Sequence, residues 1–408
     1  MIGLFAPVVT ACSSSGSSSG SGSSADSSPI NLGIITDVDT AGTDHSDVLA
    51  AAKGAVRAVN KAGGVNGHPL KLLFCNENLE PNQAEACVRQ MVSGHVAAMV
   101  GNTIYTAEQY ADETFRAAGI AQLGNTADGI SEHDPNSYML DGGQTFANGG
   151  QIYGASTLAG KRIAYVGIAL PFTAPYLAFY RKACVSLGCQ IVSTATVPSE
   201  TATDFAPEAA ALMQGKPQVV VVDVGLGIIP LLRTMDQLGY TGKVVIQDAN
   251  FTTKNFFAQA CAQQRQFVLQ STYPPPFLAA NDPGLKEYTK DMQAEKAAGD
   301  SAAPDYTKFF DSFDMNAYLA VKAFAEVAST AHAYDAASFK KAINAARNID
   351  ILGLKPPWNP NDSLFAQLPR VNRDQYFYYT TNSCSSPAPK VLGSTTTGAV
   401  TKVVKAAY

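Results

Sequence analysis

No apolar run approaches the roughly 18 residues that a membrane-spanning helix needs, so no such span is expected. Charge is sparse. Asp, Glu, Lys and Arg make up 15% of the chain and the net charge is −5. No basic stripe is interleaved with aromatics, which argues against a nucleic-acid partner. Histidine is scarce too: His45, His68, His95, His133 and His332 are scattered, and none stands beside a candidate nucleophile. There is no G-x-S-x-G and no HExxH. The loop after the first expected strand reads Asp-Val-Asp-Thr-Ala-Gly-Thr and lacks the phosphate-cradling G-x-G-x-x-G. No His or Cys pair has finger-like spacing, so neither a metal nor a cofactor is expected. A catalytic constellation is missing, and the expectation is a binder, not an enzyme.

What is present suits two α/β domains. The 408 residues exceed one ordinary core, and a hydrophobic fraction of 46% with 9% aromatics can fill two. The stretch from Asp47 to Phe74 sets the pattern. Val48, Leu49, Ala52, Val56 and Val59 recur at helical spacing, Gly63-Gly64 can end that helix, and Leu70, Leu72 and Phe74 begin a strand. With the apolar run Ile30 to Thr36 before it, this is a βαβ unit, which requires a parallel pair of strands. In a doubly wound sheet ligands bind outside the carboxyl ends of the strands, so the loop from Asp37 to Asp44, with Asp39 and Thr40, faces a cleft.

The alternation continues through strands at Val96 to Val100 and Ile120 to Leu123 and a helix at Thr106 to Ala118. It restarts at Arg162 to Gly167. Val219 to Val224 (VVVVDV) reads as a central strand buried on both faces. Two successive βα runs of similar length indicate two similar lobes instead of one large sheet. Later helices are expected at Leu285 to Ala297, Phe309 to Ala331 and Ala336 to Ala345, and a strand at Gln375 to Thr380, before a basic, polar C-terminal tail.

At the start, Val9-Thr10-Ala11-Cys12 after a short apolar run resembles a lipobox, in which Cys12 is lipidated. No Lys or Arg precedes the run, so the true start is expected further upstream. Ser13 to Ser28 is almost pure Ser and Gly, a flexible linker that would hold a folded body off a membrane surface. Six further cysteines, an even number, suit disulfides in an exported chain, with the connectivity open on sequence alone. Cys75–Cys87 and Cys184–Cys189 are natural short-loop bridges, leaving Cys261–Cys384 by elimination.

Ala58 to Gly67 (AVNKAGGVNG), followed by a strand and by Glu80-Pro81-Asn82-Gln83-Ala84, closely resembles the type I periplasmic binding proteins. More narrowly, it is similar to the branched-chain amino-acid-binding (Leu/Ile/Val-binding) family that serves ABC importers. The likeness runs on through Val100-Gly101, Gly160 to Ala164, Thr203-Asp204-Phe205 and Leu238-Gly239. It implies two doubly wound parallel-sheet lobes joined by a three-stranded hinge that crosses near Gly142, Gln270 and Pro369. Lobe 1 would take residues 30–142 and 271–368, lobe 2 residues 143–270 and 369–408, and residues 1–29 a signal remnant and linker.

The loop Asn102 to Thr106 lies between a strand and a helix N-terminus, where backbone N–H groups and the helix dipole suit an anion. In the resembled family this loop holds the ligand's α-carboxylate, and Thr103, Tyr105 and Thr106 occupy it here. The second carboxylate-side loop corresponds to Thr126 and Ala127, although Gly124-Asn125 replaces the usual Ser-Pro and Asp128 stands close by. Phe172 matches the family aromatic of the second lobe, where Tyr is common, and Leu226 supplies another wall. The family's acid for the ligand ammonium falls near Asp248, which could equally cap the next helix, with Phe251 behind it. With Tyr273 also in view, these aromatics suggest a larger or aromatic carboxylate ligand, with a branched-chain amino acid second. The resemblance implies a monomer anchored outside the cell membrane that passes its ligand to an ABC permease and ATPase. The other reading is a sensor of the same fold, detecting an amide or amino acid without transport.

Overall fold

Ile30–Thr36 (β1) pairs in parallel with Leu70–Asn76 (β2) on one side and Ala98–Val100 (β3) on the other. A strand flanked on both sides must be apolar, and β1 is buried at every residue except the half-buried Asn31. In the computed structural model the described residues are 27–40, 44–126, 129–199, 202, 204–224, 228–247, 267–274, 281–305, 312–361, 363, 366–380 and 390–408. Ser46–Lys61 (α1) connects β1 to β2. Its stripe of Val48, Leu49, Ala52, Ala55 and Val59 is buried, Asp47 and Lys61 complement its dipole, and the chain leaves it through Gly63 and Gly64 at φ 108° and 73°. Pro81–Ser93 (α2), Glu108–Ala117 (α3), Ala121–Leu123 (β4) and Ser137–Tyr138 (β5) complete a five-stranded parallel sheet ordered β2-β1-β3-β4-β5. Because β2 is an edge strand, Phe74 remains partly exposed while Leu70 is buried.

The second sheet repeats that order. Arg162–Ile168 (β6), Gln190–Val197 (β7), Val219–Asp223 (β8), Lys243–Gln247 (β9) and Phe267–Ser271 (β10) run parallel as β7-β6-β8-β9-β10. Gln375–Thr380 (β11) and Lys390–Thr396 (β12) extend it antiparallel to seven strands. The five residues of β8 are all buried, as its valine run requires. Gly143–Gly154 (α4), Thr173–Leu187 (α5), Ala206–Gln214 (α6) and Ile228–Gln237 (α7) flank it. In each sheet the first strand lies between the second and third. The connections on its two sides leave in opposite directions, which opens a crevice at the carboxyl ends.

Pro283–Ala297 (α8), Ser312–Ala328 (α9) and Ala336–Ala345 (α10) return to the first sheet, where α1 packs on α8 and α9 and Arg57 donates to Glu295 at 2.6 Å. The C-terminal segment is not a polar tail. After β12 it forms a helix, Thr397–Ala407 (α11), whose Val400, Val403, Val404 and Ala407 are buried against α4 and α5. Lys402 and Lys405 fall on its outer face, so a composition that reads as basic hides an apolar stripe. Cys75–Cys87 and Cys184–Cys189 are bridged, with Cα atoms 5.5 Å and 4.6 Å apart. Cys12, Cys261 and Cys384 lie outside the described residues.

Among the described residues three segments pass between the sheets: residues 139–142, 271–273 and 370–374. Met139 N–H donates to Arg370 O at 3.0 Å and Asn372 N–H to Asp141 O at 2.7 Å. Lys355, in the turn-rich DILGLKPPWNP segment, ties all three. Its Nζ donates to Asp374 Oδ1 at 2.6 Å and to Thr272 O at 2.9 Å, lies 3.8 Å from the centre of the Tyr273 ring, and is 1% exposed. Asp374 Oδ2 in turn accepts from Gly142 N–H at 2.6 Å.

Candidate functional site

At the carboxyl ends of the first sheet Asn102 acts as a fastener. Its Oδ1 accepts from Ile35 N–H at 3.0 Å, its Nδ2 reaches Gln122 at 3.4 Å, and its carbonyl accepts from Thr126 N–H at 3.0 Å. Thr103, fully buried, joins hydroxyls with Thr36 and donates its N–H to Ile35 O at 3.0 Å. Thr103 is therefore held in place by the strand beside it.

The loop's anion seat already has an occupant. Glu77, fully buried just beyond β2, accepts from Tyr105 N–H at 2.7 Å and from the Thr106 hydroxyl at 3.2 Å. Helix α3 begins only at Glu108, so Thr106 turns to Glu77 instead of capping it. Burial pushes the Glu77 carboxyl up to about 7; the charge of Asp37 adds to this, while the Tyr105 N–H and Thr106 oppose it. Near neutrality this acid is poised between neutral and charged.

Tyr105 then reaches across the crevice. Its hydroxyl meets His45 Nε2 at 2.9 Å, its ring stacks on the imidazole at 5.8 Å, and it faces Phe172 of the second lobe at 6.2 Å. Phe172 immediately precedes α5 and rests on Tyr176 at 5.0 Å; His45 also contacts Phe313 at 5.6 Å. Burial drives the His45 imidazole down to about 4, with Asp44 opposing, so it is neutral at pH 7 and serves Tyr105 as a hydrogen-bond partner. Its place in the first loop puts His45 near the cleft on sequence alone, where a loop histidine reads as solvated; here it is instead half-buried against Tyr105.

Tyr105 and Phe172 thus meet where the two sets of strand ends face each other, while Thr103 and Thr106, on the same loop as Tyr105, turn their hydroxyls to Thr36 and Glu77. Thr126 lies beside them, lining a small cavity between the lobes. Asp39 is exposed at the rim, in a left-handed conformation at φ 54°. Ala127, Leu226, Asp248 and Phe251 lie outside the described residues. Tyr273 is no cleft aromatic: it is fully buried in the hinge, bonded through its hydroxyl to Asn316 and covered by Lys355.

Behind the second-lobe wall is a polar network that the sequence hid. Gln144, Asn148 and Gln151 lie on one face of α4. Gln144 donates to Asn148 at 2.9 Å and Gln247 donates to Asn148 at 2.8 Å and Gln151 at 3.0 Å. Gln151 reaches Asp223 at 3.3 Å, and the Tyr180 hydroxyl joins both. Burial raises the Asp223 carboxyl to about 6 against the pull of Gln151 and the tyrosines. The one available signal was the acid that closes the valine run. Among the described residues no group of His, Cys, Asp or Glu could hold a metal ion, and no helix is long and apolar enough to cross a membrane.

Solved structures share this architecture. A leucine binding protein, LivK, from Thermotoga maritima is 16% identical, with 90% of this chain and 98% of that one covered at a TM-score of 0.71. LivJ of Streptococcus pneumoniae, a branched-chain amino acid transporter substrate binding protein in complex with isoleucine, is 17% identical over 89% and 99% at 0.69. An ABC transporter substrate binding protein from Aeropyrum pernix is 14% identical over 93% and 98% at 0.72. No curated protein matches the chain in sequence. The sequence profile described as periplasmic binding protein matches residues 29–374, so with its paired strand-end crevice and three crossings the chain belongs to the periplasmic binding protein family, in its type I fold.

Proposed function

We propose that this protein is an extracytoplasmic solute-binding protein, lipid-anchored through Cys12, that captures a small carboxylate-bearing ligand by closure of its two lobes. The ligand class is an amino acid or an aromatic or organic acid, delivered by the monomeric binder to an ABC permease and ATPase. The observation that carries this reading is the meeting of Tyr105 and Phe172, one ring from each lobe, over the facing strand ends. The lobes are residues 30–142 with 271–368 and residues 143–270 with 369–408, turning about the three crossings. The isoleucine complex of LivJ supports an amino acid among the candidates.

The test is a thermal-shift screen of the purified chain over amino acids, aromatic acids and amides. A ligand at 100 times its Kd should stabilise the protein by about 2.7 kcal/mol. If no compound moves the melting point, the reading fails.

A carboxylate ligand and Glu77 compete for the Tyr105 N–H. Affinity for an anionic ligand is therefore expected to rise several-fold as pH falls through about 7 and Glu77 is neutralised. Stability should move with it. The raised pKa of Glu77 makes the folded state hold its proton more tightly than the unfolded chain. Its contribution is full below the ordinary carboxylate range and lost as pH rises through about 7. Glu77→Gln, neutral throughout, should flatten both trends, with a higher melting point than the parent at pH 8. Identical pH slopes in parent and variant would remove Glu77 from the account.

A further inference from the structure

Between the lobes, on the hinge side of the Tyr105–Phe172 contact, lies a cavity of about 20 Å³, room for about one water. It is lined from the first lobe by Asn125, Thr126 and Phe313, from the second by Gln144, Gln247 and Gln270 of β10, and from the crossing segments by Asp141 and Thr272. Among the residues that line it, Asn125 Oδ1, Thr126 Oγ1, Gln270 Oε1, Gln270 Nε2 and Thr272 Oγ1 are buried without a hydrogen-bond partner among the described residues. Gln270 is 1% exposed, Asn125 5% and Thr272 6%. Each such atom costs roughly 1–3 kcal/mol if left unpaired. A single water makes about 2–4 hydrogen bonds, too few for five atoms that include the two N–H donors of one amide.

Resting on the solute-binding reading above, we propose that this cavity is a ligand subsite for an uncharged polar end group bearing both donor and acceptor, a carboxamide above all. The mixture of partners decides the chemistry. Asn125 Oδ1 and Gln270 Oε1 require donors, whereas Gln270 Nε2 requires an acceptor, and the two threonine hydroxyls serve either way. A carboxamide offers two N–H groups and a carbonyl in one plane. A carboxylate would bring a second negative charge to Asp141, whose oxygens already accept from Asn316 Nδ2 and Gly143 N–H at 2.9 Å each. An ammonium has no acceptor for Gln270 Nε2. An aliphatic end would seal all five atoms against hydrocarbon. Phe313 stands between this cavity and His45, and the cavity walls belong to both lobes and the hinge. Parting of the lobes widens the cavity to the size of the group, and closure fastens the group at the pivot.

The experiment is calorimetric titration of the full chain with L-glutamine, L-asparagine, L-glutamate and L-leucine, repeated on Gln270→Leu and Thr272→Val. Glutamine or asparagine is expected to bind at least tenfold tighter than leucine and than glutamate. Gln270→Leu should abolish or reverse the preference over leucine. Thr272→Val, nearly isosteric, should reduce it several-fold with the melting point little changed. Leucine binding as tightly as the amides, or a ranking unaltered in both variants, overturns the subsite while leaving the solute-binding reading intact. If none of the probes binds but another compound in the thermal-shift screen does, and that compound has no uncharged donor–acceptor end, the subsite is likewise overturned. Silence across the whole screen overturns both.

Discussion

Lys355→Ala is expected to lower stability by about 3–5 kcal/mol, because it strands the Asp374 carboxylate in the hinge without its cation. At roughly 2–4 °C per kcal/mol this is a fall of about 10 °C in Tm. The carboxylate cannot simply be rehydrated: like Lys355 it is 1% exposed, and one oxygen is committed to Gly142 N–H. Already in the parent, burial pushes Asp374 up to about 6 in spite of the lysine's charge. The partner substitution follows from the same bonds. Lys355→Met with Asp374→Asn removes both charges yet keeps an acceptor for Gly142, and most of the loss should return. A buried pair replaced by neutral groups of similar volume is often near neutral in stability. Chemical denaturation of the parent and the two variants checks this, and Lys355→Ala within about 1 kcal/mol of the parent would show that the pair is not what secures the crossings.

Gly101→Ala should be the most damaging small change in the first-lobe wall. Gly101 follows β3 at φ 62°, and an added Cβ would overlap Ala317 Cβ and lie 2.6 Å from Ala317 Cα. Gly119 provides a matched control, with φ 72° and nothing within 4 Å of the Cβ position. Both alanine variants carry the left-handed strain of about 1–2 kcal/mol. Only Gly101→Ala adds overpacking against α9, typically ~1–3 kcal/mol. The next residue is Asn102, which fastens Ile35 and Thr126, so ligand affinity should fall with stability in Gly101→Ala and stay unchanged in Gly119→Ala. Equal losses in the two variants would mean that the close approach to Ala317 carries no weight.

These tests fall on features of unequal legibility. Helix α10 at Ala336–Ala345 and the bridge Cys75–Cys87 follow from nearest-neighbour information: apolar spacing, and a short loop between a strand end and a helix. The loop carrying Thr103, Tyr105 and Thr106 was visible for the same reason, since a strand followed by a helix start exposes backbone donors. The sequence could not show that Glu77 fills that seat, for the carboxylate arrives from the end of a neighbouring strand. The C-terminal helix was lost to composition, its valines outweighed by lysines and threonines until a surface on α4 and α5 selects them.

The sequence by itself determined the alternation of strands and helices, the division into two lobes and the family, because local periodicity fixes which faces must be buried. Only the tertiary structure decided which polar groups meet: Lys355 with Asp374, Glu77 with Tyr105, and Asn125, Gln270 and Thr272 around one cavity. Apart from Gln270 and Thr272, two positions apart on one segment, the members of each set come from separate stretches of the chain, and a charge or an amide has no partner until packing removes the water that would otherwise serve it.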